Sequence, residues 1–246
     1  MSAPTISIVM ACFNGERYIR NAIASVLGQT YQDFELIVVD DGSTDKSQQT
    51  LKQVRDNRLV IIRQENQGLA AARNAGLALV RGRYVAFLDV DDTWNLSFLE
   101  KMISALEATA NAAVAYCGWK NTGIGSKKGK PYVPPDYERE RKLEYLLAQC
   151  PWPVHAALSR YEIVSKAGGF DAQLPVCEDY DLWLRIAAFN PIVLVPEVLA
   201  HYNFHEGEQL STNRAMMARY QWLVQRKFLK EHPEITSKLG RKRVRE

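Results

Sequence analysis

Val85-Ala86-Phe87-Leu88-Asp89-Val90-Asp91-Asp92-Thr93-Trp94 sets four apolar residues directly against three carboxylates in four positions. A short continuous apolar run bounded by polar residues reads as a strand covered on both faces. The acids mark where that strand surfaces. Two carboxylates about 4 Å apart repel by roughly 1 kcal/mol in water and about 4 kcal/mol at a protein surface. A cation at the mouth of the strand relieves this repulsion. The cluster therefore predicts a divalent metal that holds a phosphate-bearing substrate. A solvated acidic turn is the plainer alternative, and the buried run before the acids and Trp94 after them argue against it.

Upstream, the pattern alternates strand and helix. Ile6–Met10 is an apolar run ending in a turn at Cys12-Phe13-Asn14-Gly15, and Tyr18–Leu27 carries apolar residues at helical spacing. Phe34–Val39 is a second strand and runs into Asp40-Asp41-Gly42-Ser43-Thr44-Asp45, which supplies helix-capping residues for Lys46–Val54. Leu59–Arg63 is a third strand, Leu69–Leu79 an Ala-rich helix, and Tyr84–Leu88 the fourth strand. This order predicts an α/β fold with a mostly parallel central sheet and helices on both faces. Ligands of such sheets sit beyond the carboxyl ends of the strands. Three polar strand ends converge there: Cys12-Phe13-Asn14, Asp40–Ser43 and Asp89–Asp92.

Downstream the character changes. Phe98–Leu106 and Glu138–Ala148 read as helices, Ala113–Trp119 and Val154–Leu158 as strands, and Asn121–Pro135 as a mobile loop rich in Gly, Lys and Pro. Lys127, Lys128 and Lys130 in that loop offer charge to an anionic acceptor. Gly168-Gly169-Phe170-Asp171 is a turn. Glu178-Asp179-Tyr180-Asp181-Leu182-Trp183 opens a helix with an acidic first turn, favoured by the helix dipole. Ile192–Val195 and Val198–Tyr202 read as two short strands and Met216–Leu229 as a final amphipathic helix.

The composition, 47% hydrophobic and 24% charged over 246 residues, suits a soluble protein with a sizeable core. A net charge of +3 is too small to argue for nucleic acid as a partner. No apolar run approaches a membrane span, and no signal peptide is expected at the start. Cys12, Cys117, Cys150 and Cys177 form no CxxC pair, which predicts reduced thiols in a cytoplasmic protein. The basic end Arg241-Lys242-Arg243-Val244-Arg245, with the final helix, could lie against anionic lipid on the inner face of a membrane.

Two families share the central motif. Asp89-Val90-Asp91-Asp92-Thr93 resembles the first motif of haloacid-dehalogenase-like phosphatases, in which Asp89 would be the nucleophile and Asp91 the acid/base. That motif ordinarily lies on the first strand, however, and here it is on the fourth. Met10–Gly15, Val38–Asp45 and Asn66-Gln67-Gly68-Leu69-Ala70-Ala71-Ala72-Arg73-Asn74-Ala75-Gly76 precede it. With these, the chain from about residue 6 to 184 resembles the family 2 glycosyltransferases of GT-A fold. The resemblance continues more weakly through His201–His205.

That resemblance implies an inverting transfer of a sugar from a nucleotide-diphosphate donor, UDP-type favoured, to a hydroxyl on a saccharide or lipid-linked saccharide. Surface polysaccharide or lipopolysaccharide assembly is the implied setting. It implies a Rossmann-like nucleotide-binding half over about 1–110, a mixed acceptor half over about 111–211, and a helix and basic tail over 212–246. Ala11, Phe13 and Asp41 are implied to hold the base, Arg73 the ribose or diphosphate, Asp89 the ribose or a metal-bound water, and Asp91, with Asp92 as a substitute ligand, an Mn²⁺ or Mg²⁺ ion. Asp179 is implied as catalytic base and Glu178 as the residue that orients the acceptor, while Asp181 belongs to the helix itself. General-base help of this kind is worth about 10²–10⁴-fold. His205 is a candidate diphosphate contact, although the expected Tyr-Arg before it is Tyr202-Asn203. For Arg73 a surface helix charge is the competing reading, and for Asp40 and Asp41 a helix cap.

Overall fold

The computed structural model describes residues 3–123, 129–139, 141–205 and 209–239. Lys127, Lys128 and the basic end at 241–245 lie outside the described residues.

The first half follows its apolar pattern closely. Strand β1 (Ile6–Cys12), helix α1 (Ile19–Leu27), β2 (Phe34–Asp41), α2 (Ser47–Gln53), β3 (Leu59–Gln64), α3 (Leu69–Leu77) and β4 (Tyr84–Phe87) alternate as expected. The four strands are parallel in the order β3-β2-β1-β4. Every residue of β1, β2 and β4 is buried, which is why these strands read as unbroken apolar runs.

Helix α3 lies hard on this sheet because of Gly76. A Cβ at that position would stand 2.4 Å from Val9 Cγ1. Gly76→Ala is therefore expected to cost about 1–3 kcal/mol by overpacking. A thermal melt reads this as roughly 2–4 °C per kcal/mol for a chain of this size.

The second half builds the remainder of one sheet. Its elements are β5 (Thr93–Trp94), α4 (Phe98–Ala108), β6 (Val114–Gly123), α5 (Lys142–Ala148), a 3₁₀ turn (Val154–Ala156) and β7 (Ala157–Arg160). Then follow α6 (Tyr161–Lys166), α7 (Glu178–Ala187), β8 (Ile192–Phe204), a second 3₁₀ turn (Leu210–Thr212), α8 (Arg214–Glu231) and α9 (Pro233–Leu239). The complete order is β3-β2-β1-β4-β7-β6-β8-β5. Strand β7 enters antiparallel between β4 and β6, β8 runs parallel to β6, and β5 runs antiparallel to β8. The sheet is thus mostly parallel on the β1 side and mixed beyond β4.

Several expected elements change here. The two short strands at 192–195 and 198–202 are one strand, because β6 and β8 slip register at Cys117–Trp119 and Pro196-Glu197 bulges out. Proline is tolerated in a sheet at such bulges. The helix expected from Glu138 begins at Lys142, after Arg141 in a left-handed conformation (φ 69°). Asn121–Gly123, read as loop, continues β6.

Candidate active site

A cleft of about 1120 Å³ opens beyond the carboxyl ends of β1, β2 and β4. Small-ligand pockets run to about 1,000 Å³, so this one stands at the upper end of that range. Ala11, Phe13 and Asp41 line one end, Asp89 and Asp91 the middle, and Glu178, Asp179 and the start of α8 the other.

At the first end, Phe13 is 51% exposed on the rim while Asp41 is 2% exposed on the wall. Asp41 Oδ1 accepts from Gln64 Nε2 at 2.8 Å and the Gln67 amide at 2.9 Å, and Oδ2 accepts from the Gly68 amide at 2.9 Å. Asp41 thereby satisfies amides that α3 leaves unpaired at its start. Three of about four acceptor positions on the carboxylate are used, which leaves one for a ligand. Asp40 is also buried, but its Oδ1 accepts from the Ser43 amide and it does not line the cleft. Of the capping residues expected in this stretch, Asp45 lies one residue before the N-cap Lys46, and its Oδ1 accepts from Ser47 N at 2.9 Å.

The three acids of the central cluster diverge. Asp89 accepts from Arg73 Nη2 at 2.5 Å. Asp91 Oδ2 lies 3.1 Å from His205 Nε2, and the His205 ring stacks on Tyr18 at 4.5 Å between centroids. Asp92 is buried; its Oδ1 accepts from Asn203 N at 2.8 Å and its Oδ2 lies 2.9 Å from His155 Nδ1. That last approach is close but lacks hydrogen-bond geometry. Neither Asp92 Oδ2 nor either His155 ring nitrogen has a directed hydrogen bond among the described residues. Burial, then repulsion from Asp92 and Asp89, pushes the Asp91 carboxyl up to about 6.

The metal ligands expected from the sequence were Asp91 and Asp92. The structure instead brings Asp92 together with Asp89 and His155, with ligand atoms all within 4.8 Å of one another. Asp91 faces His205. Two carboxylates and an imidazole, with buried polar atoms lacking directed bonds, form a donor set that a divalent ion fits. His155 was not among the expected ligands. No spacing could have shown it, since its partners lie on other elements.

Arg73 is the second departure. It is 2% exposed, so the surface-charge reading fails. Nη1 donates to Glu178 Oε1 at 2.5 Å while Nη2 donates to Asp89, so one guanidinium ties the acid cluster to α7. Phe170 supports it from below, 5.3 Å from guanidinium carbon to ring centroid. Phe170 is itself held by Asn74, whose Oδ1 accepts from Phe170 N at 2.9 Å and whose Nδ2 donates to Phe170 O at 2.8 Å. The turn that makes this possible needs left-handed backbone at Gly168 (φ 83°) and Gly169 (φ 69°), which glycine adopts without strain. The Arg-Asn-Ala-Gly and Gly-Gly-Phe-Asp stretches are therefore two halves of one joint.

At the far end Asp179 lines the cleft, partly exposed. Its Oδ1 accepts from Tyr180 N at 2.7 Å. Burial, then the Glu178 charge, pushes its carboxyl up to about 7, against the pull of Arg73. A carboxylate at that value is poised to take a proton near neutral pH. Asp181 faces away and pairs with Arg185 at 2.6 Å and Lys227 of α8 at 3.0 Å, as its structural reading predicts. Trp183 and Leu184 are buried. No helix among the described residues is long and apolar enough to cross a membrane.

Residues 7–163 match the family model described as Glycosyl transferase family 2. The chain is 31% identical over 231 residues to the UDP-Glc:alpha-D-GlcNAc-diphosphoundecaprenol beta-1,3-glucosyltransferase WfgD of Escherichia coli, covering 93% of this chain and 87% of the relative. Among solved structures, S. aureus TarS 1–349 in complex with UDP-GlcNAc aligns with a TM-score of 0.71 at 20% identity, covering 93% of this chain and 72% of that one. The mannosyltransferase PcManGT from Pyrobaculum calidifontis, in complex with GDP-Man and Mn²⁺, aligns with a TM-score of 0.65 at 16% identity, covering 95% and 76%. At these identities the two structures speak for the fold, which is GT-A.

Proposed function

The chain belongs to glycosyl transferase family 2, and on that premise we propose that it is an inverting, metal-assisted transferase moving a sugar from a nucleotide diphosphate to an acceptor hydroxyl. Membership assigns Asp89-Val90-Asp91-Asp92-Thr93 to a transferase and leaves the phosphatase alternative without support. The observation that carries the proposal is the shared cleft: Asp179, poised near 7, faces the same space as the acidic cluster.

The nucleotide occupies the end lined by Ala11, Phe13 and Asp41, with the base against Phe13 and the remaining acceptor position of Asp41 taking a ring N–H. UDP is the favoured nucleotide. The E. coli relative is named for UDP-Glc, and TarS was solved with UDP-GlcNAc. Asp89, Asp92 and His155 are the donors that would hold Mn²⁺ or Mg²⁺, with Asp91 and His205 paired beside them. Such an ion supplies positive charge to a leaving diphosphate. Asp179 removes the acceptor hydroxyl proton as the oxygen attacks the anomeric carbon from the face opposite the diphosphate. Glu178, fixed by Arg73, holds the wall against which the acceptor is oriented. This divides the chain into a donor half to about residue 110 and an acceptor half to about 211.

The acceptor class we propose is a saccharide or lipid-linked saccharide in surface polysaccharide assembly, handled in the cytoplasm at the membrane's inner face. The E. coli relative's name carries a diphosphoundecaprenol-linked acceptor.

A thermal-shift screen of nucleotide diphosphates and their sugars, with and without Mn²⁺, tests the donor site. A ligand at a hundredfold over its Kd stabilises by about 2.7 kcal/mol. That is a rise of roughly 5–10 °C here. Because Asp41 also holds α3, Asp41→Ala is expected to lower the ligand-free Tm as well as to abolish the ligand-induced rise. If no nucleotide raises Tm, or if Asp41→Ala leaves a ligand-induced rise unchanged, the donor-site assignment is wrong.

A further inference from the structure

Helix α8 has two faces with different work. Its inner face packs Val224 and Phe228 into the core, while Met216, Met217 and Gln221 line the cleft. Its outer face carries Trp222, 51% exposed, and Leu223, 36% exposed. Arg219, Arg226 and Lys230 are exposed on the same side, Arg214 is exposed at the helix start, and none of the four has an ion-pair partner among the described residues. Arg226 stands over the Trp222 ring at 4.6 Å. From Gln209 to Lys230 the sequence holds no acidic residue. The fifth cation of that stretch, Lys227, turns inward and is consumed by Asp171 and Asp181. Three outward cations thus stand around a tryptophan and a leucine, with no acid among them.

We propose that the outer face of α8 seats the protein on an anionic lipid surface, with Trp222 and Leu223 entering the headgroup region and Arg219, Arg226 and Lys230 pairing with lipid charge. Interfacial helices combine basic residues with Trp and Leu in this way. Aromatic rings with a polar edge settle at that depth. The fit is one of charge and amphipathy together, so an anionic bilayer matches it better than an apolar protein groove does. The same helix walls the cleft through Met216, Met217 and Gln221. Seating α8 therefore brings the acceptor end of the cleft to the membrane. This deepens the lipid-linked-acceptor reading above and rests on it only for why the cleft should face a bilayer.

Sedimentation of the full chain with vesicles tests it. Phosphatidylcholine vesicles containing phosphatidylglycerol are expected to carry the protein down, and pure phosphatidylcholine far less. Arg219→Gln with Arg226→Gln is expected to weaken partitioning about twenty-five-fold, since each cation near such a surface is worth roughly fivefold. Trp222→Ala with Leu223→Ala is expected to weaken it by roughly tenfold or more. Raised salt weakens the remainder. These four residues do not line the cleft, so transfer to a soluble acceptor stays at the wild-type rate. That separates failure of this proposal from failure of the transferase reading. A chain ending at 239 serves as control for the basic end. The proposal is overturned if neither vesicle binds, or if binding disappears with residues 240–246 while the α8 variants bind as wild type. It is also overturned if Trp222→Ala converts a dimer to a monomer with vesicles ignored, because the face then joins two copies of the chain.

Discussion

Asp179→Asn is expected to abolish transfer and, at the same time, to make the protein more resistant to heat above neutral pH. Loss of a general base costs about 10²–10⁴-fold. The gain in stability follows from the same shift. The Asp179 carboxyl stands at about 7 when folded against an ordinary value of 3.8. Between those values the folded chain keeps a proton that the unfolded chain has lost, so stability falls as pH rises through this window. Above about 7 both states are ionised and the cost is fully present. Asparagine cannot ionise, and its amide oxygen can still accept from Tyr180 N. At pH 8 the variant should therefore melt several degrees above the wild type, while at pH 4 the two should coincide. In the active enzyme, kcat/KM should rise with pH through a limb centred near 7, which reports the free enzyme's base. Transfer within tenfold of wild type in Asp179→Asn, or a lower Tm at pH 8, would remove Asp179 from the role of base.

The second large effect belongs to Arg73. Arg73→Met leaves Glu178 and Asp89 facing each other without the guanidinium between them. Breaking a buried ion pair from one side costs about 3–5 kcal/mol. In a chain of this size that lowers Tm on the order of 10 °C. Arg73 is also the charge that holds the Asp179 carboxyl down. The acid limb of kcat/KM should then move to higher pH in whatever fraction folds. Glu178→Gln should move it the opposite way, because the Glu178 charge is among the groups raising Asp179. Arg73→Lys tests geometry apart from charge. A lysine keeps the positive charge but is a point donor that cannot reach two diverging carboxylates as a planar fork does. Its limb should sit near wild type while its Tm falls. Limbs that stay fixed in both Arg73→Met and Glu178→Gln would show that the triad does not tune the base.

The parallel half of the fold was legible because β1, β2 and β4 are covered on both faces and so must be apolar throughout. The acidic strand end, Asp41 and the Glu178-Asp179 pair were legible because each follows a pattern that secondary structure alone does not require. The rest hid for physical reasons. Strand β5 is two residues long and exists only by pairing Thr93 and Trp94 with β8, so no periodicity could announce it. Strand β8 was split in two by Pro196, whose bulge is set by the partner strand. Arg73 sits in a run of alanines where a buried and a surface arginine look alike. Only the carboxylates arriving from β4 and α7 decide between them. His155 reaches Asp92 from a 3₁₀ turn far along the chain, a proximity that belongs to topology.

The position of β7 also bears on how the chain is made. Strand β4 must wait for β7, its outer neighbour, for about 70 residues of further synthesis. At ribosomal rates of about 5–20 residues per second, that is roughly 4–14 seconds. Through that interval Tyr84–Phe87, apolar throughout, forms the open edge of an already pairable sheet. Such edges recruit strands from other chains. The nascent protein thus passes through a window of aggregation risk that closes when residues 157–160 emerge and dock, and slow decoding between β4 and β7 would prolong it.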